Sequence, residues 1–173
     1  GVRSIGDHAF EWCSGLTSVE IPGSVTRIGG FAFSSCSSLT GINIPEGVTR
    51  IGGDAFLLCS GLTSMEIPES VTSIGDAVFD GCSSLTDIHV AEGNGHYTSE
   101  GGLLYDKGKT RLLCCPGGKK GSVHIPEGVT EIGDYAFSDC SGLTGVEIPE
   151  SVMRIGDRAF SDCSGLTGVD IPE

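Results

Sequence analysis

Residues 25–45 read Val-Thr-Arg-Ile-Gly-Gly-Phe-Ala-Phe-Ser-Ser-Cys-Ser-Ser-Leu-Thr-Gly-Ile-Asn-Ile-Pro, and this pattern recurs along the chain every 23 residues. Three apolar positions keep strict phase with the period. They are Ile5, Ile28, Ile51, Ile74, Ile132 and Ile155; Phe10, Phe33, Phe56, Phe79, Phe137 and Phe160; and Cys13, Cys36, Cys59, Cys82, Cys140 and Cys163. A sustained short period predicts a solenoid, in which each coil buries its apolar residues only against neighbouring coils.

Within one unit the pattern predicts two short strands and a turn. The apolar alternation of residues 16–21, which Pro22 ends, is typical of a half-buried strand, and residues 25–28 form a second extended piece. Stacked coils then give a parallel sheet with strands about 4.8 Å apart. The segment Gly-Asp-x-Ala-Phe-x-x-Cys predicts one or two helical turns. The proposed N-cap residues are Asp7, Asp76, Asp134 and Asp157.

One unit breaks the period. Val71 and Val129 open equivalent segments 58 residues apart, which is two periods plus 12 residues. We therefore divide a single solenoid, residues 1–173, into standard repeats over 1–90, an enlarged repeat over 91–126 and standard repeats over 127–173. Residues 102–106 and 110–114 flank Lys107-Gly108-Lys109 and predict a β-hairpin that projects from the solenoid. Because the chain begins and ends inside a unit, we expect a piece of a longer protein.

The composition argues against several classes of partner. The net charge is −13, which disfavours nucleic acid and anionic membranes, because both are bound through positive charge. No apolar run approaches the roughly 18 residues needed to cross a bilayer, so we expect no direct membrane insertion. The sequence shows no signal peptide.

The repeat resembles the BspA-like leucine-rich repeat family. The residues that carry the resemblance, and recur in each standard unit, are Ile28, Gly29, Ala32, Phe33, Cys36, Leu39, Ile42, Ile44 and Pro45. The resemblance implies an α/β leucine-rich-repeat solenoid, curved and right-handed, with its parallel sheet on the concave side and short helical turns opposite. It also implies a secreted or cell-surface protein. Several members are adhesins for extracellular matrix or for other microbes.

The cysteines are interpreted first as packing residues. Equivalent side chains in a solenoid point the same way, and free cysteine packs as a small buried hydrophobe, so regular spacing predicts six unreactive thiols. No Cys-x-x-Cys or cysteine–histidine cluster suggests zinc. Cys114 and Cys115 are adjacent and out of phase, and could be strand residues or a redox-active pair.

No candidate for catalysis emerges, and we predict neither an enzyme nor a cofactor. The serines belong to the repeat consensus, and neither a Gly-x-Ser-x-Gly elbow nor a phosphate-binding loop occurs. His89 and His124 occupy the same exposed strand position in different units, where they could approach each other. A metal site would need a third ligand, so we interpret them as exposed strand residues.

A binding surface is predicted along the outward strand positions, which would line the concave wall. The candidate residues are Ser18, Glu20, Asn43, Ser64, Glu66, Asp87, His89, Ser122, His124, Glu147 and Asp170. Repeat proteins commonly bind through this surface. The wall is acidic and without aromatic residues, which argues against carbohydrate stacking. The alternative is a merely solvated face.

Positive charge is concentrated in the enlarged repeat. All four lysines, Lys107, Lys109, Lys119 and Lys120, lie there together with Arg111, and we describe them as a basic hairpin. They could steer an acidic partner or pair with the acidic face of another copy. Alternatively, they protect an exposed strand edge against strand addition.

These observations favour a non-catalytic protein-binding or adhesion module, whose partner would be a host extracellular-matrix or surface protein. The alternative is a structural spacer with no ligand of its own, which near-identical units would also suit. Variation along the outward column favours binding, because binding surfaces diversify while cores stay constant.

Overall fold

The computed structural model describes all 173 residues, Gly1–Glu173. The chain forms a β-solenoid of about seven coils with parallel strands. Each coil contributes to a short-strand ladder, which comprises β1 (Ser4–Ile5), β2 (Arg27–Ile28), β3 (Arg50–Ile51), β5 (Ser73–Ile74), β9 (Arg111–Cys114), β11 (Glu131–Ile132) and β13 (Arg154–Ile155). The long-strand ladder comprises β4 (Ser64–Ile67), β6 (Asp87–Val90), β10 (Gly121–His124), β12 (Leu143–Glu147) and β14 (Gly168–Asp170).

Both ladders pair parallel strands in the register that the 23-residue period predicts. In the short-strand ladder Ile5 lies opposite Ile28, and Ile28 opposite Ile51. The same phase holds in the long-strand ladder, where Val146 lies opposite Val169. The parallel sheet is thus confirmed, whereas the strand predicted over residues 16–21 of the first coil is not formed.

No helix is present, so the predicted helical turns and the α/β class are wrong. The segment from the glycine to the cysteine of each coil, which we call the turn segment, contains residues of left-handed conformation such as His8 (φ 61°) and Trp12 (φ 64°). Alternate amides serve different partners. Glu11 donates to the carbonyl of His8 in its own coil, whereas Phe10 donates to Ala32 in the next coil at 2.7 Å.

The stacked turns replace a helix because short isolated helices are marginal in water, whereas a neighbouring coil supplies acceptors for every second amide. The predicted N-caps consequently have another role. Asp7 accepts a hydrogen bond from the Gly30 amide at 2.9 Å, and Asp134 accepts one from Asp157 at 2.8 Å. These aspartates link one coil to the next.

The repeat-phased apolar residues form the core as predicted. Phe33 and Phe56 are fully or almost fully buried and stack with ring centroids 5.6 Å apart and planes within 4°. Equivalent stacks run from Phe10 to Phe79 and again from Phe137 to Phe160. The enlarged repeat has no phenylalanine at this position, and there the core divides into two clusters of 23 and 14 buried residues.

The enlarged repeat contains three antiparallel strands, β7 (Tyr97–Glu100), β8 (Leu103–Asp106) and β9, which we call the insert. The hairpin of β8 and β9 is confirmed, and β7 was not predicted. The prediction that the hairpin projects is wrong, because β9 pairs with β11 and β8 is buried between the two core clusters. Leu104 packs into the first cluster, while Leu103 and Tyr105 pack into the second.

Candidate functional site

The outward column of the long-strand ladder is exposed along its whole length. Every predicted binding residue is exposed: Ser18, Glu20, Asn43, Ser64, Glu66, Asp87, His89, Ser122, His124, Glu147 and Asp170. The strand residues between them, such as Met65 and Ile88, are buried. The structure thus places the candidates on one polar face above an apolar core. That this face is concave stays a prediction.

Parallel register brings acidic and imidazole side chains side by side. Glu66 lies opposite His89, and His124 Nδ1 lies 2.9 Å from a carboxylate oxygen of Glu147. This second pair is fully on the surface, where an ion pair contributes little to stability. The arrangement is therefore available to a partner, because its loss costs the fold little.

The insert separates the two histidines that share the column. β6 and β10 belong to different sheets. The edge of β6 is occupied by the insert, because Ile88 donates to the Gly102 carbonyl at 3.0 Å and Val90 donates to Ser99 Oγ at 2.9 Å. The structure does not bring His89 and His124 together. No group of three or more histidine, cysteine, aspartate or glutamate side chains is placed to share a metal ion.

Two lysines join the outward column in one shallow groove. Lys119 and Lys120 precede β10 and line a depression of about 340 Å³ together with Ser122 and His124. Neither lysine forms a salt bridge within the chain. Two free ammonium groups beside a polar strand end can bind an acidic side chain of a partner. We call this site the lysine groove.

The remaining basic residues lie elsewhere, so the five residues of the predicted basic hairpin do not form one cluster. Lys107 and Lys109 lie at the turn between β8 and β9, where Lys109 contacts Glu100 at 3.0 Å. Arg111 lies in β9 and contacts Glu131 at 3.3 Å. The sequence showed that these charges are close along the chain, but the folding of the insert distributes them over separate surfaces.

The cysteine column is largely buried, with its thiols directed at carbonyl groups. Cys36, Cys59, Cys82 and Cys140 are buried, and all eight cysteines are free. Burial raises the pKa of Cys59 to about 12 and that of Cys163 to about 11. Cys13 is exposed, so the prediction of six buried thiols is wrong for the first coil, where no further coil covers the side chain.

The adjacent cysteines also have placements that argue for packing. Cys114 ends β9 and is half-buried, while Cys115 is buried, and its amide donates to the Ala136 carbonyl at 2.6 Å. Burial raises the pKa of the Cys114 thiol. The strand interpretation of Cys114 is confirmed, and Cys115 takes over a coil-to-coil contact at the start of the shortened turn.

Sequence reasoning missed Asn94, a fully buried polar residue at the entrance to the insert. Its amide nitrogen donates to the carbonyls of Pro68 and Val71, and its carbonyl oxygen accepts from the amides of His96 and Tyr97, all within 3.0 Å. The sequence Gly93-Asn94-Gly95 carried a turn signal. The burial of the side chain depends on the neighbouring coil and had no local signature.

Comparison with known proteins agrees with this architecture. The model of the BspA type leucine rich repeat region matches in six copies, over residues 1–100 and 118–173. The chain belongs to this family. The family match omits residues 101–117, which contain β8, β9 and the shortened turn, so the unusual part of the structure is also the part least like the family repeat.

Solved structures with the same fold come from bacterial leucine-rich repeat proteins. The pneumococcal vaccine antigen PcpA is 32% identical with a TM-score of 0.91, over 99% of this chain and 43% of that chain. A leucine-rich cell surface protein of Faecalibacterium prausnitzii is 31% identical with a TM-score of 0.79, over 99% and 52%. A leucine-rich repeat protein of Eubacterium ventriosum is 26% identical with a TM-score of 0.81, over 98% and 57%.

The chain therefore spans about half the length of these solved proteins. No curated protein sequence matches it. Among its secondary-structure elements there is no helix with the length and apolarity needed to cross a membrane. The fold and the names of the neighbours suggest a secreted or cell-surface setting, as the family resemblance implied.

Proposed function

We propose that this chain is a protein-interaction module of a secreted or cell-surface protein, and that it binds its partner through the outward column and the lysine groove. The observation that carries the proposal is the contrast between two faces of the same coils. Inward positions repeat one residue, as Phe33, Phe56 and Phe79 do, whereas the exposed column changes from Asn43 to Glu66 to His89. Repeat proteins bind through surfaces of this kind.

The lysine groove gives the surface a change of sign. Most of the column is acidic or neutral, but Lys119 and Lys120 add two positive charges beside Ser122 and His124. A partner that presents basic groups to Glu66 and acidic groups to the groove would be held in one orientation, because like charges placed opposite each other are unfavourable. A host extracellular-matrix or surface protein is the partner class we propose.

The test is a binding screen against immobilised matrix proteins and host surface proteins at physiological salt. A saturable interaction is expected, and it should weaken at least tenfold when Lys119→Glu and Lys120→Glu are combined. The matched control combines Lys107→Glu and Lys109→Glu, which change charge equally at the β8–β9 turn and should leave binding intact.

Two results would contradict the proposal. Binding that is lost in the Lys107→Glu, Lys109→Glu control but not in the groove variant would place the site at the hairpin turn. Complete absence of saturable binding would favour the alternative of a structural spacer. We propose no catalytic role, because no base–nucleophile pair is apparent on the outward face.

A further inference from the structure

A second candidate site lies where the insert interrupts the solenoid. Between the turn segment of the fourth coil, residues 75–82, and that of the sixth, residues 133–140, is a cavity of about 330 Å³ that is partly open to solvent. We call it the seam cleft. It lies away from the outward column and shares no lining residue with the lysine groove, so the inference below does not depend on the proposed function.

The cleft exists because one turn segment is too short. In a standard coil 14 positions separate Ile132 from Val146, which occupy the short-strand and long-strand ladders. In the enlarged repeat only 11 positions separate Leu112 from Val123, which pair with those two residues. The turn of the enlarged repeat therefore lacks three residues, and the two neighbouring turn segments face each other across the gap.

The missing residues leave backbone amides of the fourth coil without acceptors. In the third coil the amides of Asp54, Phe56 and Leu58 donate to the carbonyls of Asp76, Val78 and Asp80 at 2.7–3.0 Å. The equivalent amides of the fourth coil belong to Ala77, Phe79 and Gly81. None of the three donates to any acceptor in the protein. Ala77 and Phe79 line the cleft.

The opposite wall has the complementary deficit. The carbonyls of Asp134 and Ser138 occupy positions that accept from the preceding coil elsewhere in the solenoid, as Gly30 and Ser34 accept from His8 and Trp12. Here neither accepts a hydrogen bond, and only the carbonyl between them, that of Ala136, is used, by Cys115. The cleft thus has donors on one wall and acceptors on the other, which is the pattern that a peptide backbone satisfies.

The side chains around the cleft are predominantly acidic. Asp76, Asp80, Asp106 and Asp134 line it against Arg111 and His96. Oδ1 of Asp80 is buried without a hydrogen-bond partner. Two of the other carboxylates already have partners, since Asp106 accepts from Thr110 and Arg111 and Asp134 accepts from Arg154. Asp80 is the group left to meet a positive charge.

We propose that the seam cleft binds a short peptide segment of a partner protein, about three residues long and carrying a lysine or arginine. Its carbonyls accept from the amides of Ala77 and Phe79, its amides donate to the carbonyls of Asp134 and Ser138, and its basic side chain pairs with Asp80. The segment replaces the three residues that the enlarged repeat lacks. The cavity lies at the small end of the range of ligand sites, about 300–1,000 Å³, which suits so short a segment.

The test uses the whole chain labelled with ¹⁵N and the probe peptide N-acetyl-Gly-Lys-Gly-amide. On titration the amide resonances of Ala77 and Phe79 should shift, and their hydrogen exchange should slow about tenfold or more at saturation, because they become hydrogen-bonded. The Asp80→Asn variant should bind the peptide about tenfold more weakly. Asp157→Asn, which removes an exposed carboxylate one coil away, should bind like the native chain.

Two further probes separate the parts of the proposal. N-acetyl-Gly-Glu-Gly-amide should bind at least tenfold more weakly than the lysine peptide, and equal binding would overturn the role of Asp80. The n-butylammonium ion should shift resonances near Asp80 but leave the exchange of Ala77 and Phe79 unchanged. If it slows their exchange as the peptide does, or if the peptide shifts only residues of the outward column, the proposal is wrong. Loss of binding to matrix proteins in the lysine-groove variant would not alter any of these results.

Discussion

The thiol of Cys59 donates a hydrogen bond to the carbonyl of Phe33, one coil earlier, with sulfur and oxygen 3.1 Å apart. The same contact joins Cys36 to Phe10 and Cys82 to Phe56. A buried cysteine in this solenoid is therefore a coil-to-coil connector. Its S–H group satisfies a carbonyl that the turn segment leaves free, which explains why a thiol suits the position better than a purely apolar side chain.

This geometry predicts selective labelling of the native thiols. Burial raises the pKa of Cys59 to about 12, so at pH 8 its reactive thiolate is scarce and inaccessible. We expect iodoacetamide to modify Cys13, which is exposed, at least about a hundredfold faster than Cys59. Mass spectrometry of the folded chain, with a denatured sample as the control for intrinsic reactivity, measures the ratio. Comparable rates in the folded chain would contradict the ladder.

Close approach between coils predicts a strong effect at Gly52. A Cβ atom there would lie 2.4 Å from the Gly30 amide nitrogen, so Gly52→Ala must force two backbones apart. We expect a loss of about 2–3 kcal/mol in the free energy of unfolding. Gly6 has the same repeat position but open space around its Cβ direction, and Gly6→Ala should change stability by less than about 0.5 kcal/mol. Urea denaturation compares the two; equal effects would show that the coils can separate easily.

Removal of the Asn94 side chain should destabilise the junction between the fourth coil and the insert. Asn94→Ala leaves the carbonyls of Pro68 and Val71 and the amides of His96 and Tyr97 without this partner. We expect a cost of about 2–4 kcal/mol, because these groups lose their hydrogen bonds in a buried site. Asn43→Ala, at an exposed position, serves as the control and should be nearly neutral. A small effect at Asn94 would mean that water replaces the side chain.

Asp80 predicts a dependence of stability on pH. Burial raises the pKa of its carboxyl to about 6, and the nearby charges of Asp139 and Asp54 add to the rise against an opposing hydrogen bond from Ser138. Between about pH 4 and pH 6 the native chain holds a proton that the unfolded chain, with an ordinary pKa near 3.9, has released. The contribution of Asp80 to stability therefore falls as pH rises through this window.

Asp80→Asn should remove that contribution, so that the variant is more stable than the native chain at pH 7 by up to about 3 kcal/mol and nearly equal to it at pH 4. Partial solvent exposure of the site will reduce the difference. Denaturation of both proteins at several pH values gives the measurement, with Asp157→Asn as the control for the loss of one charge. Parallel pH profiles for the native chain and Asp80→Asn would show that the carboxyl is well solvated.

The sequence alone determined the solenoid, its register and most of its core. A period of 23 residues allows only a stack in which Ile28 meets Ile51 and Phe33 meets Phe56, because each coil buries its apolar side chains against an identical neighbour. The exposed column followed from the same alternation, since strand side chains point to opposite faces. The hairpin of the enlarged repeat was also readable, from a short turn between two apolar runs.

Only the tertiary structure decided the conformation of the turn segments and the place of the insert. Local spacing suggested helices, but the amide of Phe10 finds its acceptor on Ala32 in the next coil, a contact that no local pattern records. The insert lies between the two core clusters because Leu104 and Tyr105 are both apolar and face opposite ways. The seam cleft, with the unpaired amides of Ala77 and Phe79, arises from a difference in length between neighbouring coils and exists only once those coils are stacked.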